Sequence, residues 1–156
     1  MKRFSLLIGI IFLTIFSAYS QDIKEINGVY YNGSIPYTGK HISRFEDGKP
    51  KIELNLTNGL KDGIVKVYFE NGGINEIRSY KKNKMDGDWF TYNENKIKVA
   101  EAHYIDGKKD GKWYIWDENG KLIYQLEYAA GEKTGIWKNY NKDGKIISER
   151  TYSSNQ

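Results

Sequence analysis

The chain has 156 residues, with 24 Lys+Arg against 20 Asp+Glu, two His and no Cys. That length holds one or two domains; the lack of Cys excludes a disulfide framework and Cys-based zinc or iron–sulfur centres, and His41 and His103 lack metal-ligand spacing. With 39% apolar residues, 15% aromatics and 16 Gly, the composition suits a thin, turn-rich β structure better than a thick core.

Residues 1–20 read as a secretory signal peptide. Lys2 and Arg3 precede an apolar stretch from Leu6 to Phe16, and Ala18 and Ser20 give the small-x-small pattern for a cut before Gln21. The stretch is shorter than the roughly 20 apolar residues of a spanning helix. A signal helix is expected here, with export to the periplasm, cell surface or exterior. No Cys follows the cut, which excludes a lipid anchor at that position. Losing Lys2 and Arg3 lowers the formal charge from +4 to +2, too little to argue for nucleic acid.

Residues 21–38 form a lead-in and capping strand. From Gly39 a period of 24 takes over: Gly39, Gly63, Gly87, Gly111 and Gly135. Gly48, Gly72, Gly120 and Gly144 make a second series, with Lys96 in the missing slot. Gly59, Gly107 and Gly131 make a third, with Asn83 in its slot. Val65, Trp89, Trp113 and Trp137 share one column. Tyr68, Tyr92, Trp116 and Tyr140 share another, and Leu56, Tyr80, Tyr104, Tyr128 and Tyr152 a third. Such self-similarity marks a repeat architecture. The units are 39–62, 63–86, 87–110, 111–134 and a partial 135–152, with 153–156 as a tail.

Each unit is predicted to be a β-hairpin. Strand A follows the first Gly, as in residues 112–117. Asn71-Gly72, Asn119-Gly120 and Asp143-Gly144 predict type I′ turns. Strand B follows, with Tyr124, Leu126 and Tyr128 alternating against Gln125 and Glu127, the pattern of a half-buried strand. Asp62-Gly63, Asp86-Gly87 and Asp110-Gly111 then turn the chain into the next unit. Trp113 and Trp116 are three apart, which suggests a bulge or twist in strand A. Side by side, the hairpins make an all-β elongated antiparallel sheet, roughly 40–55 Å long at ~4.8 Å per strand. The aromatic columns are expected to be buried between units.

The unit carried by Gly111, Trp113, Trp116, Gly120, Tyr128 and Gly131 resembles the bacterial variant of the MORN repeat. The resemblance spans about residues 28–152, and Pro36-Tyr37-Thr38-Gly39 resembles how such proteins begin. The first unit departs from it, with His41 for Trp and Arg44 for Tyr. The resemblance implies a twisted β array that binds partners. Eukaryotic relatives are linked to membranes and scaffolding, many bacterial ones are labelled antitoxins, and neither brings a catalytic motif. The aromatic repeats of choline- and glucan-binding proteins are also similar, but those units are nearer 20 residues.

The residues offer no catalytic set and call for no cofactor. There is no G-x-S-x-G, Asp117-Glu118 falls at a solvated turn, and Gly72-Gly73 precedes no helix. The Asp-Gly pairs lack the spacing of calcium-binding nonapeptides. His103 is expected in an exposed cross-strand hydrogen bond, and His41 in a capping role. The aromatic columns read first as inter-repeat core. Tyr114, Trp116 and Tyr124 exceed what the repeat needs, so they are the expected partner-binding patch. The expected function is a non-enzymatic binding or scaffolding module at the cell envelope. An immunity or antitoxin protein and a glycan- or cell-wall-binding module are the alternatives. The partner is another protein or an envelope glycan; clustered basic residues for anionic lipid are absent.

Overall fold

A computed structural model describes residues 22–153. The expected signal helix and its cut site lie outside the described residues. Among the described residues there is no helix, and so none long and apolar enough to cross a membrane.

The lead-in folds as three short antiparallel strands, β1 (Ile23–Ile26), β2 (Val29–Asn32) and β3 (Ile35–Pro36). Then come β4 (Gly39–Arg44), β5 (Pro50–Thr57), β6 (Leu60–Lys61), β7 (Gly63–Tyr68) and β8 (Ile74–Lys81). They are followed by β9 (Lys84–Tyr92), β10 (Lys98–Ile105), β11 (Lys108–Trp116) and β12 (Leu122–Ala129). β13 (Glu132–Lys133), β14 (Gly135–Tyr140) and β15 (Ile146–Tyr152) complete the chain. From β4 on they form one 12-stranded antiparallel sheet in sequence order, with β6 and β13 as short side pairings. The long sheet of hairpins expected from the 24-residue period is what the structure shows.

The turns differ from expectation. At the tips, Gly120, Gly72 and Gly144 have positive φ, whereas Asn119, Asn71 and Asp143 do not, so these are not type I′ turns. At two of these tips the reason lies two residues earlier in the chain. Asp117 Oδ1 accepts from the amides of Asn119 and Lys121, both at 2.9 Å, and Asn141 does the same for Asp143 and Lys145. Such side-chain bonds hold a right-handed turn that needs only one left-handed residue at its end. The type I′ turns sit between units instead. Asn58-Gly59, Lys82-Asn83, Asp106-Gly107 and Ala130-Gly131 have positive φ at both positions.

The Asp-Gly pairs are not turns either. Asp86-Gly87 lies inside β9 and Asp110-Gly111 inside β11. Their carboxylates accept from the first amide of the next inter-unit turn, Asp86 from Asp106 at 3.0 Å and Asp110 from Ala130 at 3.1 Å. Thr38 does so for Asn58 at 2.9 Å. The turn's second amide binds back to the backbone, as from Gly107 to Met85 and from Gly131 to Lys109, both at 2.8 Å. Each unit is thereby locked to its neighbour.

Strand A carries the expected bulge at its start, between units, where Glu101 pairs with Tyr114 but His103 with Asp110, and Arg78 with Trp89 but Tyr80 with Met85; from Trp113 to Trp116 it alternates plainly. Within each hairpin the irregularity falls opposite strand A's end, where Ile115 pairs with Tyr124 but Trp116 with Leu122, leaving Ile123 extra in strand B. The same shift recurs at Ser43/Arg44, Val67/Tyr68 and Asn139/Tyr140. Trp113 and Trp116 therefore point to opposite faces, because directly opposed residues share a face and successive residues alternate.

Burial is concentrated at one end of the sheet and on one face. β1–β3 lie across β4–β8, where Tyr30 (8% exposed) packs on Leu54, Leu56 and Val65 with Ile23, Ile52 and Tyr80 around them. Beyond β8 no described residue covers the single layer. Among the described residues only Ala102 and Tyr104 are buried there, so apart from Tyr104 the aromatic columns are half-exposed rather than buried between units.

Candidate functional site

The face carrying Tyr30 continues past β8 as a ladder of rings. Trp89, Tyr104, Trp113, Tyr128, Trp137 and Tyr152 follow one another at centroid distances of 5.6, 5.2, 5.1, 5.3 and 4.8 Å, tilted by 35–60°. The pairing explains the order. Tyr80, Tyr104, Tyr128 and Tyr152 each stand directly opposite a glycine, Gly63, Gly87, Gly111 and Gly135. A strand position without a side chain gives the phenol room over the backbone. The indoles are pinned by hydrogen bonds: Trp113 Nε1 donates to the His103 carbonyl at 3.2 Å, and Trp137 Nε1 to Glu127 at 3.0 Å. Trp89 Nε1 is buried and finds no acceptor among the described residues.

A column of cations overlies the rings. Lys61 Nζ lies 5.7 Å from the Tyr80 ring, Lys109 Nζ 4.5 Å from Trp113 and 4.9 Å from Tyr128, and Lys133 Nζ 4.7 Å from Trp137. Such contacts favour ring and cation together. Among the described residues none of these three lysines has an ion-pair partner. In the second unit the column holds Met85, and Arg78 lies over the Trp89 ring at 4.7 Å instead. Burial raises the phenol pKa of Tyr104 and Tyr128 above the ordinary 10.0, so both rings are neutral donors.

The third unit also carries a depression of ≈ 210 Å³, lined mainly by apolar surface. Its floor is Ala100 and Ala102; its walls are Trp89 and Thr91 on β9 and Trp113 and Ile115 on β11. Sequence reasoning passed over both features. The lysine column repeats every 24 residues, and the alanines stand where other units carry Ile52, Glu76 and Tyr124, or Leu54, Arg78 and Leu126.

The expected patch of Tyr114, Trp116 and Tyr124 is divided by the sheet. Tyr114 and Trp116 stack at 5.7 Å and 27° on the face away from the ladder. Lys98 lies 4.9 Å over Trp116 and 5.5 Å over Phe90, and pairs with Glu101. Tyr140 donates from its hydroxyl to Gln125 at 3.3 Å beside them. Tyr124 pairs with Ile115, so it stands on the ladder face, 40% exposed. The three residues do not form one surface.

His103 makes the expected cross-strand contact, Nδ1 to Asp88 Oδ1 at 2.8 Å, on the face away from the ladder. His41 lies under the N-terminal strands, 6.1 Å from the Tyr30 ring, and burial lowers its pKa. Among the described residues no three of His, Cys, Asp or Glu are placed to hold a metal ion.

The MORN repeat variant family matches the chain at residues 61–82, 109–130 and 133–154. These segments begin at Lys61, Lys109 and Lys133, the three cations of the ladder column. No curated protein matches the chain. Fold and family match together define a β-hairpin repeat protein, three segments of which match MORN-type units.

Proposed function

We propose that the chain is an exported, non-enzymatic repeat protein that binds another protein at the cell envelope through the ladder face. One observation carries the binding role. The same sheet face is covered by β1–β3 over its first half and left open over its second, where it carries six half-exposed or buried rings with lysines above them. Trp and Tyr supply large contact area at low entropy cost and dominate binding hot spots. The basic, apolar start of the chain supports export.

Capture from the native envelope fraction tests the reading. Immobilised protein is expected to retain a partner that the Lys109→Glu, Lys133→Glu double variant releases, with an unchanged melting temperature. Equal capture by both refutes the ladder face. The Tyr114–Trp116 stack is the other candidate contact, and Trp116→Ala would then weaken capture by roughly 2 kcal/mol. Sequencing the N-terminus of the envelope form checks the cut before Gln21. A glycan partner is the second reading, favoured by indoles that recur once per unit, about 10 Å apart. An array of cell-wall oligosaccharides separates it from the first.

A further inference from the structure

The depression over Ala100 and Ala102 has a counterpart two units earlier, and there it is occupied. His41, Ser43, Ile52, Leu54, Val65 and Val67 hold the positions that Trp89, Thr91, Ala100, Ala102, Trp113 and Ile115 hold in the later unit. The earlier position is covered by the chain's own β1–β3, which places Tyr30 against Leu54 and Val65. Glu25, directly across the strand pair from Tyr30, lines the same cavity as Lys61 and Arg78. The cap is thus an extended segment presenting an aromatic ring to apolar sheet, with Lys61 Nζ 6.0 Å from that ring.

The later slot keeps an apolar floor and walls, Lys109 overlies its Trp113 wall at 4.5 Å, and none of the described residues forms a cap above it. Lys109 is the repeat equivalent of Lys61, and it has no carboxylate partner among the described residues. The floor is lower, because both residues are alanine, and the walls are higher, because both neighbouring strands present Trp. A volume of ≈ 210 Å³ holds one large side chain. The slot is continuous with the surface that β1–β3 already cover.

We infer that this slot receives an aromatic side chain from an extended segment of the partner protein, as the earlier one receives Tyr30. The inference rests on the ladder face being the protein-binding face. The ring would stand over Ala102 between the two indoles, with Lys109 beside it as Lys61 stands 6.0 Å from the Tyr30 ring.

The chain's own cap supplies the probe. A synthetic peptide of residues 22–38 is titrated into isotope-labelled protein, and the amides of Ala100 and Ala102 and the Trp113 indole are followed. The expected result is a saturable shift at these groups that a Tyr30→Ala peptide does not produce. Ala102→Leu fills the floor with a residue its column already carries at Leu54 and Leu126, so the fold is retained. It should weaken the peptide about tenfold. Lys109→Glu should weaken it as well. No shift at these groups, equal shifts in Ala102→Leu, or shifts produced by a cell-wall oligosaccharide and not by the peptide would each overturn the inference. Envelope capture separates the two levels. If Ala102→Leu retains the native partner as well as the wild type does, the slot inference fails while the binding role stands. If the wild type retains nothing, the binding role fails, and the titration still decides the slot.

Discussion

Two residues at equivalent hairpin tips test the turn geometry in opposite directions. Gly120 and Lys96 both have positive φ, 81° and 63°. Gly120→Val puts a β-branched side chain into the left-handed region, with its Cβ 3.2 Å from Ile97, and should cost about 1–3 kcal/mol. Lys96→Gly relieves the same strain and should stabilise by about 1 kcal/mol. Chemical denaturation of both variants measures this, and a melting curve unchanged by Gly120→Val would remove the strain at that tip. Gly59 is held by proximity as well as by φ. A Cβ there would lie 2.5 Å from Val29 and 2.8 Å from the Tyr30 carbonyl. Gly59→Ala should therefore lift the N-terminal strands and expose Tyr30, read as faster amide exchange in residues 23–36 while units beyond β9 keep theirs. The glycine series and the aromatic columns were legible because each answers to a local demand that one residue type meets. Ala100 and Ala102 were not, since an alanine in an alternating strand reads as ordinary packing until both flanking indoles are seen beside it.

At the scale of elements, the inter-unit turn is the joint of the molecule. Asp110→Ala removes the acceptor for the Ala130 amide and should cost about 1 kcal/mol, the net worth of an ordinary hydrogen bond. The measurement is exchange of the Ala130 and Gly131 amides, expected to speed up ahead of those in β10. Strand positions and period were readable from alternation and recurrence. Turn type was not, because Asn-Gly is a strong type I′ signal that the Asp117 side chain overrides from three residues away. The division of Tyr114 and Trp116 from Tyr124 was hidden for a related reason. It follows from which residues pair across the hairpin, and the extra Ile123 shifts that pairing without leaving a mark in composition.

Over the whole molecule, the cap and the open ladder respond differently to pH. His41 has its pKa lowered by burial, so the unfolded chain binds its proton first as pH falls below 6.5. Stability from this group is present above 6.5 and declines as pH falls from there through the lower folded value. Tyr30 is raised above 10.0, first by burial and then by its hydrogen bond to Glu25. Its contribution is present below pH 10.0 and declines above it. The cap is therefore expected to be most stable between these limits, as followed by Tyr30 ring signals across a pH series, with His41→Asn flattening the acid limb. A repeat sheet contacts only sequence neighbours, so loosening of the cap should leave β11–β15 folded. If the last units melt together with the cap, nearest-neighbour coupling is wrong for this chain.

The spacing of the ladder has an optical consequence. Rings 4.8–5.6 Å apart, alternating phenol and indole, pass excitation between them far faster than a phenol emits. Light absorbed by Tyr104, Tyr128 or Tyr152 should leave as indole fluorescence. The chromophores of the open half thus behave as a single antenna, whose colour and brightness change when any one rung is covered, displaced or wetted.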